Sequence, residues 1–200
     1  MQIILLFSKG DVWKGLKAEV NKEKFPVVWW GDTRAEFIPR GGALPAHCTR
    51  SAALLFAFHE DRLVTADIQG RGWCILGGHL EEGETPRQAV VREAMEEGGV
   101  KPDHLNHIGW YVLTPRGGIP DVVPSYVARV ASMVARPEGF ESNGVALMTR
   151  DELRQRYYRY DELLDAVFNY VFRRCPALLA NREAINLPGA LRFSQTLTSE

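Results

Sequence analysis

Three glutamates, Glu93, Glu96 and Glu97, fall within a run that the sequence closes at both ends as one short helix. Thr85, Pro86 and Gln88 take the N-cap, N1 and N3 places of a capping box, with the proline where its missing N–H costs nothing. Gly98 and Gly99 supply the left-handed stop at the other end. Between these caps, spacings of three and four residues gather the three glutamates on one face, and Val90, Val91, Ala94 and Met95 on another that can pack on a core. Carboxylates converging on one helix face repel each other. Such a cluster is tolerable chiefly when a cation sits among them, and hard oxygen donors suit Mg²⁺, with Mn²⁺ as the alternative. A solvated acidic face is the competing reading of the same residues.

The spacing of the wider stretch decides between the two. From Gly78 to Val100 it resembles the Nudix box, G-x5-E-x7-R-E-U-x-E-E-x-G-U, where U is a bulky apolar residue. Gly78, Glu84, Arg92, Glu93, Glu96, Glu97 and Gly99 fill every fixed place, Val100 fills the last apolar slot, and Ala94 is small for its own. At average residue usage, seven such matches arise by chance on the order of 10⁻⁸ times per start site, so acidity alone does not account for them. The resemblance implies an α/β fold, a Nudix-type α/β/α sandwich with a mixed β-sheet. It also implies an enzyme that splits a nucleoside diphosphate linked to another group, X, by metal-assisted attack of water on phosphorus. Carried over residue by residue, it makes Glu93, Glu96 and Glu97 metal ligands and catalytic residues, with the carbonyl of Gly78 joining the metal shell. Arg92 and Glu84 match places whose side chains hold the loop and helix together. Glu141, in a run similar to the loop before the last strand of such domains, is the candidate extra carboxylate, as metal ligand or as base, with Glu138 its competitor.

Composition narrows the partners. The 24 basic and 25 acidic residues leave a net charge of −1, which argues against a nucleic-acid polymer or an anionic membrane as the main partner. Cys48, Cys74 and Cys175 are odd in number and widely spaced, so neither a zinc site nor a disulfide framework is indicated, and the expected compartment is the cytoplasm. The opening Met1–Phe7 run is too short for a membrane span and lacks the basic flank of a signal peptide.

Read in order, residues 1–45 form a β-rich extension, residues 46–178 the Nudix domain and residues 179–200 an irregular tail. Ile3–Phe7, Val27–Trp30 and Ala35–Pro39 read as short strands packed on the core or at an interface, which leaves a homodimer open. Aromatic residues there, Trp29 and Phe37 among them, are expected to pack rather than to stack on a base. Ser51–Phe58 and Arg62–Ile68 read as a hairpin, and Trp73–Leu76 as the strand leading into the box. His107–Thr114 and Tyr126–Val134 follow as strands around a proline- and glycine-rich loop from Pro115 to Pro124, long enough to cover substrate. Gly144–Met148 predicts a strand, Thr149 to Glu152 a capping box, and the apolar stripe in Tyr160–Arg173 a helix.

A small nucleotide is the expected substrate: a nucleoside triphosphate, oxidised ones included, with ADP-ribose or a nucleoside diphosphate sugar as the alternative. Pro115, fifteen residues beyond Val100, stands where ADP-ribose members tend to carry a proline. A non-catalytic nucleotide-sensing module is the alternative of another class. His79 and Arg116 are weaker candidates for binding phosphate.

Overall fold

A computed structural model describes residues 23–136 and 139–179. The Ile3–Phe7 strand, Glu138 and the tail beyond residue 179 therefore lie outside the described residues. The elements are β1 (Val28–Trp30), β2 (Thr33–Pro39), β3 (Ala52–His59), β4 (Arg62–Ile68), β5 (Gly72–His79), α1 (Pro86–Gly98), β6 (Val100–Pro115), β7 (Asp121–Met133), β8 (Ser142–Met148), α2 (Arg150–Arg156) and α3 (Glu162–Leu179). The strands form one 8-stranded sheet in the order β1-β2-β6-β7-β3-β5-β4-β8. It is mixed, because β3 runs parallel to β7 while β6 pairs antiparallel with both β2 and β7. Among the described residues no helix is long and apolar enough to cross a membrane.

Alternation along the strands sorts their side chains onto two faces. Phe56 and Phe58 of β3 join Phe37, Tyr111 and Val127 beneath Leu163, Val167, Phe168, Tyr170 and Val171 of α3. Ala53, Leu55 and Ala57 of the same strand join Leu76, Val64 and Ala66 beneath Ala89, Val90 and Ala94 of α1. The sheet thus lies between helices, with one core on each side. Phe168 is 1% exposed and meets Phe56 and Tyr157 edge-on, with ring centroids 5.8 and 5.1 Å away. Truncating it to alanine would cost about 3–5 kcal/mol, because rings on two sides would lose their partner.

Residues ahead of β3 share this sheet. Phe37 of β2 pairs with Tyr111 of β6. Phe25 packs on Phe37 and Tyr170 at 4.9 and 5.5 Å, and the Trp30 indole donates to Asp161 Oδ2 at 2.6 Å just ahead of α3.

Three expectations need correction. β6 begins at Val100 rather than His107. Register shifts between Lys101 and Pro102, Asp103 and Asn106, and His107 and Gly109 break the alternation that would have announced it. β7 begins at Asp121 rather than Tyr126. The Asp121 carboxylate accepts from Thr49 Oγ1, Ser51 N and Ser51 Oγ at 2.7, 3.0 and 2.6 Å, which ties this residue to the approach of β3 and shortens the loop to residues 116–120. Val91 does not join the core but is 42% exposed, while Glu97 is 8% exposed, against the competing reading of a solvated acidic face. Glu97 follows Val90 by two turns and so falls on the buried face itself, whereas Val91 falls at the edge of that face, beyond Ala94.

Candidate active site

α1 has both ends fixed by its own sequence. Thr85 Oγ1 accepts from Gln88 N, and Gln88 Oε1 accepts from Thr85 N at 2.9 Å, which completes the capping box. At the far end Gly99 adopts φ 62°, and its N–H reaches the carbonyls of Ala94 and Met95. A Cβ on Gly99 would stand 2.3 Å from the Val134 carbonyl oxygen, so only glycine lets β6 leave the helix this close to the end of β7. These caps set the rotation of α1, and the rotation sets where its carboxylates point.

Arg92 organises the acidic side. Its Nε and Nη2 grip the two oxygens of Glu84 at 3.0 and 2.9 Å, a fork that pins the box loop to the helix. Nη2 also donates to the His79 carbonyl at 2.9 Å, and Nη1 donates to Glu93 Oε1 and Glu96 Oε2 at 2.9 and 3.0 Å. Glu84 accepts in turn from the Glu81 N–H at 3.0 Å, which closes the loop on itself. The Glu93 carboxylate lies over Gly78 of β5, where a Cβ would come within 2.3 Å of Glu93 Oε1. Glu97 turns under the sheet end and accepts from the Gly77 N–H at 2.9 Å.

The charges in this cluster are driven apart by their surroundings. The hydrogen bonds from Arg92 hold Glu84 below the ordinary carboxylate range. Burial raises Glu93 and lifts Glu97 to about 7, because a desolvated carboxylate prefers its proton. The charges of Arg71 and Glu141 both reach Glu97, the first lowering and the second raising its pKa. These two side chains face each other at 3.8 Å across the β4–β5 turn and the loop before β8, both well exposed. Burial also pushes the Cys74 thiol up to about 11, so it stays protonated and unreactive at neutral pH.

The chemistry of these donors fits a hard divalent cation. Glu84, Glu93, Glu96 and Glu97 bring four carboxyl groups against the single guanidinium of Arg92, all of them partly or largely buried. Gly78 leaves open the space in front of Glu93 that any side chain would fill. As they stand, no three His, Cys, Asp or Glu side chains among the described residues are gathered to hold an ion. Arg92 engages Glu93 and Glu96, and Gly77 engages Glu97.

Of the outlying candidates, Glu141 comes within electrostatic reach of Glu97 and His79 directly follows Gly78, whereas Arg116 stands apart. His79 Nδ1 lies 3.3 Å from the Ser51 carbonyl on an exposed rim, directly beside Gly78. Arg116 sits over the Trp29 ring at 5.8 Å, at the opposite edge of the sheet. Arg71 is the residue that sequence reasoning passed over. Its place two residues before Trp73, at the turn into the strand that leads to the box, was the available signal.

The family profile of the NUDIX domain matches residues 49–171. Among curated proteins, the chain is 34% identical over 89 residues to the NAD-capped RNA hydrolase NudC of Escherichia coli O157:H7, a match covering 44% of this chain and 30% of that protein. The NudC of Salmonella schwarzengrund is 33% identical over 89 residues, with the same coverage of 44% and 30%. The chain thus spans about 30% of the length of the curated relatives it matches. Among solved structures, the Bacillus subtilis pyrophosphohydrolase BsRppH, in a mutant form, superposes with a TM-score of 0.60 at 17% identity, over 72% of this chain and 91% of that one. A NUDIX hydrolase from Nitrosomonas europaea superposes with a TM-score of 0.52 at 22% identity, over 61% and 88%. At these identities the structural likenesses speak to the fold.

Proposed function

The chain belongs to the Nudix family, and from that premise we propose that it is a divalent-metal-dependent hydrolase of a pyrophosphate bond in a nucleoside diphosphate derivative. The observation that carries the reading is the single knot of Arg92 with Glu84, Glu93, Glu96 and the His79 carbonyl, set against Gly78. It holds a loop, a helix and a strand end in one fixed constellation, and positioning of this kind is most of what phosphoryl transfer asks of a protein. Glu93, Glu96 and Glu97, with the Gly78 carbonyl, would hold the cation. When bound it supplies charge neutralisation at the phosphates and a more acidic attacking water.

The chain's own residues do the rest. Arg92 keeps the carboxylates aimed at the same place and does not itself touch substrate. Glu141, on the loop facing Glu97, takes the proton of the attacking water at a carboxylate oxygen, while the bond from phosphorus to the bridging oxygen breaks. The small-molecule substrate is a nucleoside triphosphate on the sequence reading. A dinucleotide pyrophosphate of the NAD type is the second reading, favoured by the 34% identity to NudC over 89 residues.

A hydrolysis screen over nucleoside triphosphates, ADP-ribose, NAD and NAD-capped RNA tests both readings by product analysis. Release of a nucleoside monophosphate or of pyrophosphate with Mg²⁺, abolished by chelator and by Glu97→Gln, is the expected result. Full activity in chelator, or no hydrolysis of any member of the set, would overturn the proposal.

A further inference from the structure

On the α1 side of the sheet, one row of residues crosses five strands. Gly78 of β5 pairs with Ala53 of β3, and the parallel ladder in register at Leu54 and Ser125 sets Ala53 beside Pro124 of β7. Pro124 pairs with Trp110 of β6, and Trp110 pairs with Ile38 of β2. Paired residues project to the same side, and Ala53 belongs to the core under α1. Trp110 and Ile38 therefore project to that side as well, but neither joins a core cluster.

The row ends in a shelf. His107, paired with Tyr126 on the same side, turns its ring onto the Trp110 indole with centroids 4.3 Å apart at 62°. At the other flank, the loop leaving β2 comes so close that a Cβ on Gly42 would lie 2.5 Å from Ile38 Cγ2. Trp110 remains only partly buried between them. Three strand spacings, roughly 14 Å, separate Gly78 from Trp110. A nucleoside diphosphate with its phosphates at Glu93 and Gly78 would have to extend across the sheet to bring its base to that indole.

We propose that Trp110 is the platform on which the substrate's base stacks, with Ile38 beside it and His107 as the residue that fixes the plane of the indole. The inference rests on the hydrolase reading and names the base-binding part of that same site. The other aromatic residues in this half of the sheet are committed elsewhere, Tyr126 by packing against the core under α1. Phe37 and Tyr111 are 4% and 3% exposed in the α3-side core, and the Trp30 indole N–H is bonded to Asp161. Trp29 is 55% exposed but stands on the edge strand with Arg116 over its ring. A stacking shelf accepts any base, because every base has a π-face, so discrimination between bases falls to groups that meet their edges.

The test is calorimetric binding to the full chain of two ligands that are not hydrolysed, α,β-methylene ADP and base-free methylenediphosphonate, both with Mg²⁺. Trp110→Ala should weaken the nucleotide about tenfold or more and leave the diphosphonate unchanged, whereas Trp110→Phe keeps most of the affinity. Trp29→Ala should change neither ligand. In the wild type, saturation transfer should reach the adenine protons more strongly than the ribose protons, a readout that does not depend on how any variant folds. Equal weakening of both ligands, an unaffected nucleotide, a loss that follows Trp29 instead, ribose-dominated transfer, or no nucleotide binding to the wild type would each overturn the platform. A chain that binds through Trp110 yet hydrolyses nothing would refute the hydrolase reading alone. A hydrolase indifferent to Trp110 would refute the platform alone.

Discussion

Replacing Arg92 with alanine removes the one cation in the described acidic knot, and its cost can be worked from the contacts. The guanidinium makes two bonds to Glu84 and one each to Glu93, Glu96 and the His79 carbonyl, all between 2.9 and 3.0 Å. Bonds to charged groups contribute about 1.5–3 kcal/mol each, but these share one side chain and do not add. Breaking a fully buried pair costs about 3–5 kcal/mol, and the side chains here are 12–24% exposed, so solvent returns part of that. Loss of about 3 kcal/mol is the expected outcome, which in a domain of this size lowers Tm by roughly 6–12 °C. Arg92→Lys keeps the charge but not the fork and should lose about half as much. The loss should shrink in excess Mg²⁺, because a bound divalent cation replaces some of the missing positive charge among Glu84, Glu93 and Glu96. Differential scanning calorimetry of the three proteins, in chelator and in Mg²⁺, measures all of this. An Arg92→Ala shift under about 2 °C would show that the knot is ornamental. A shift indifferent to Mg²⁺ would show that the glutamates do not receive the cation.

Glu97→Gln should lower hydrolysis at least a hundredfold while the fold survives, since glutamine can still accept from the Gly77 N–H. The same variant carries a pH signature in chelator. Burial raises Glu97 from 4.5 to about 7, so the native state holds this proton more tightly than the unfolded chain does. Stability is then lost as pH rises from 4.5 through 7, and Glu97→Gln should gain Tm over wild type at pH 8 and lose that gain by pH 5. A gap that is constant with pH would contradict the burial account. Glu141→Gln should cut turnover at least tenfold with little change in KM, and a silent substitution would leave proton transfer to the box carboxylates alone. Gly78→Ala thrusts a methyl within 2.3 Å of Glu93 Oε1 and should impair hydrolysis with only a small loss of stability, readable as low activity with a cooperative melt.

The parts legible from sequence were those written in local code. Thr85, Pro86, Gln88 and Gly99 specify the ends of α1 within a single turn, and the stripe from Leu163 to Val171 specifies α3 by period alone. What sequence could not supply was set by partners distant along the chain. Gly77, twenty residues before Glu97, presents the N–H that satisfies its buried carboxylate. Asp121 became the start of a strand because Thr49 and Ser51, some seventy residues away, bind its carboxylate. The three register shifts of β6 erased the alternation that a reader of strands depends on. Trp110 was invisible for the same reason. Its value comes from lying in register with Gly78 across β3 and β7, and no spacing along the chain encodes that row.

β2 has a practical consequence for anyone who trims this protein. The family match begins at residue 49, yet β2 covers the outer side of β6 along Gly109–Pro115, pairing at seven positions from Thr33 to Pro39. A fragment cut at residue 49 would bare a ladder of unsatisfied N–H and C=O groups beside Tyr111 and Val112, the kind of open edge that recruits strands from neighbouring molecules. Such a fragment is expected to self-associate or fall into inclusion bodies, and a fragment beginning at residue 23 to remain dispersed. The boundary drawn by family likeness and the boundary drawn by the sheet differ by the two strands that keep its edge closed.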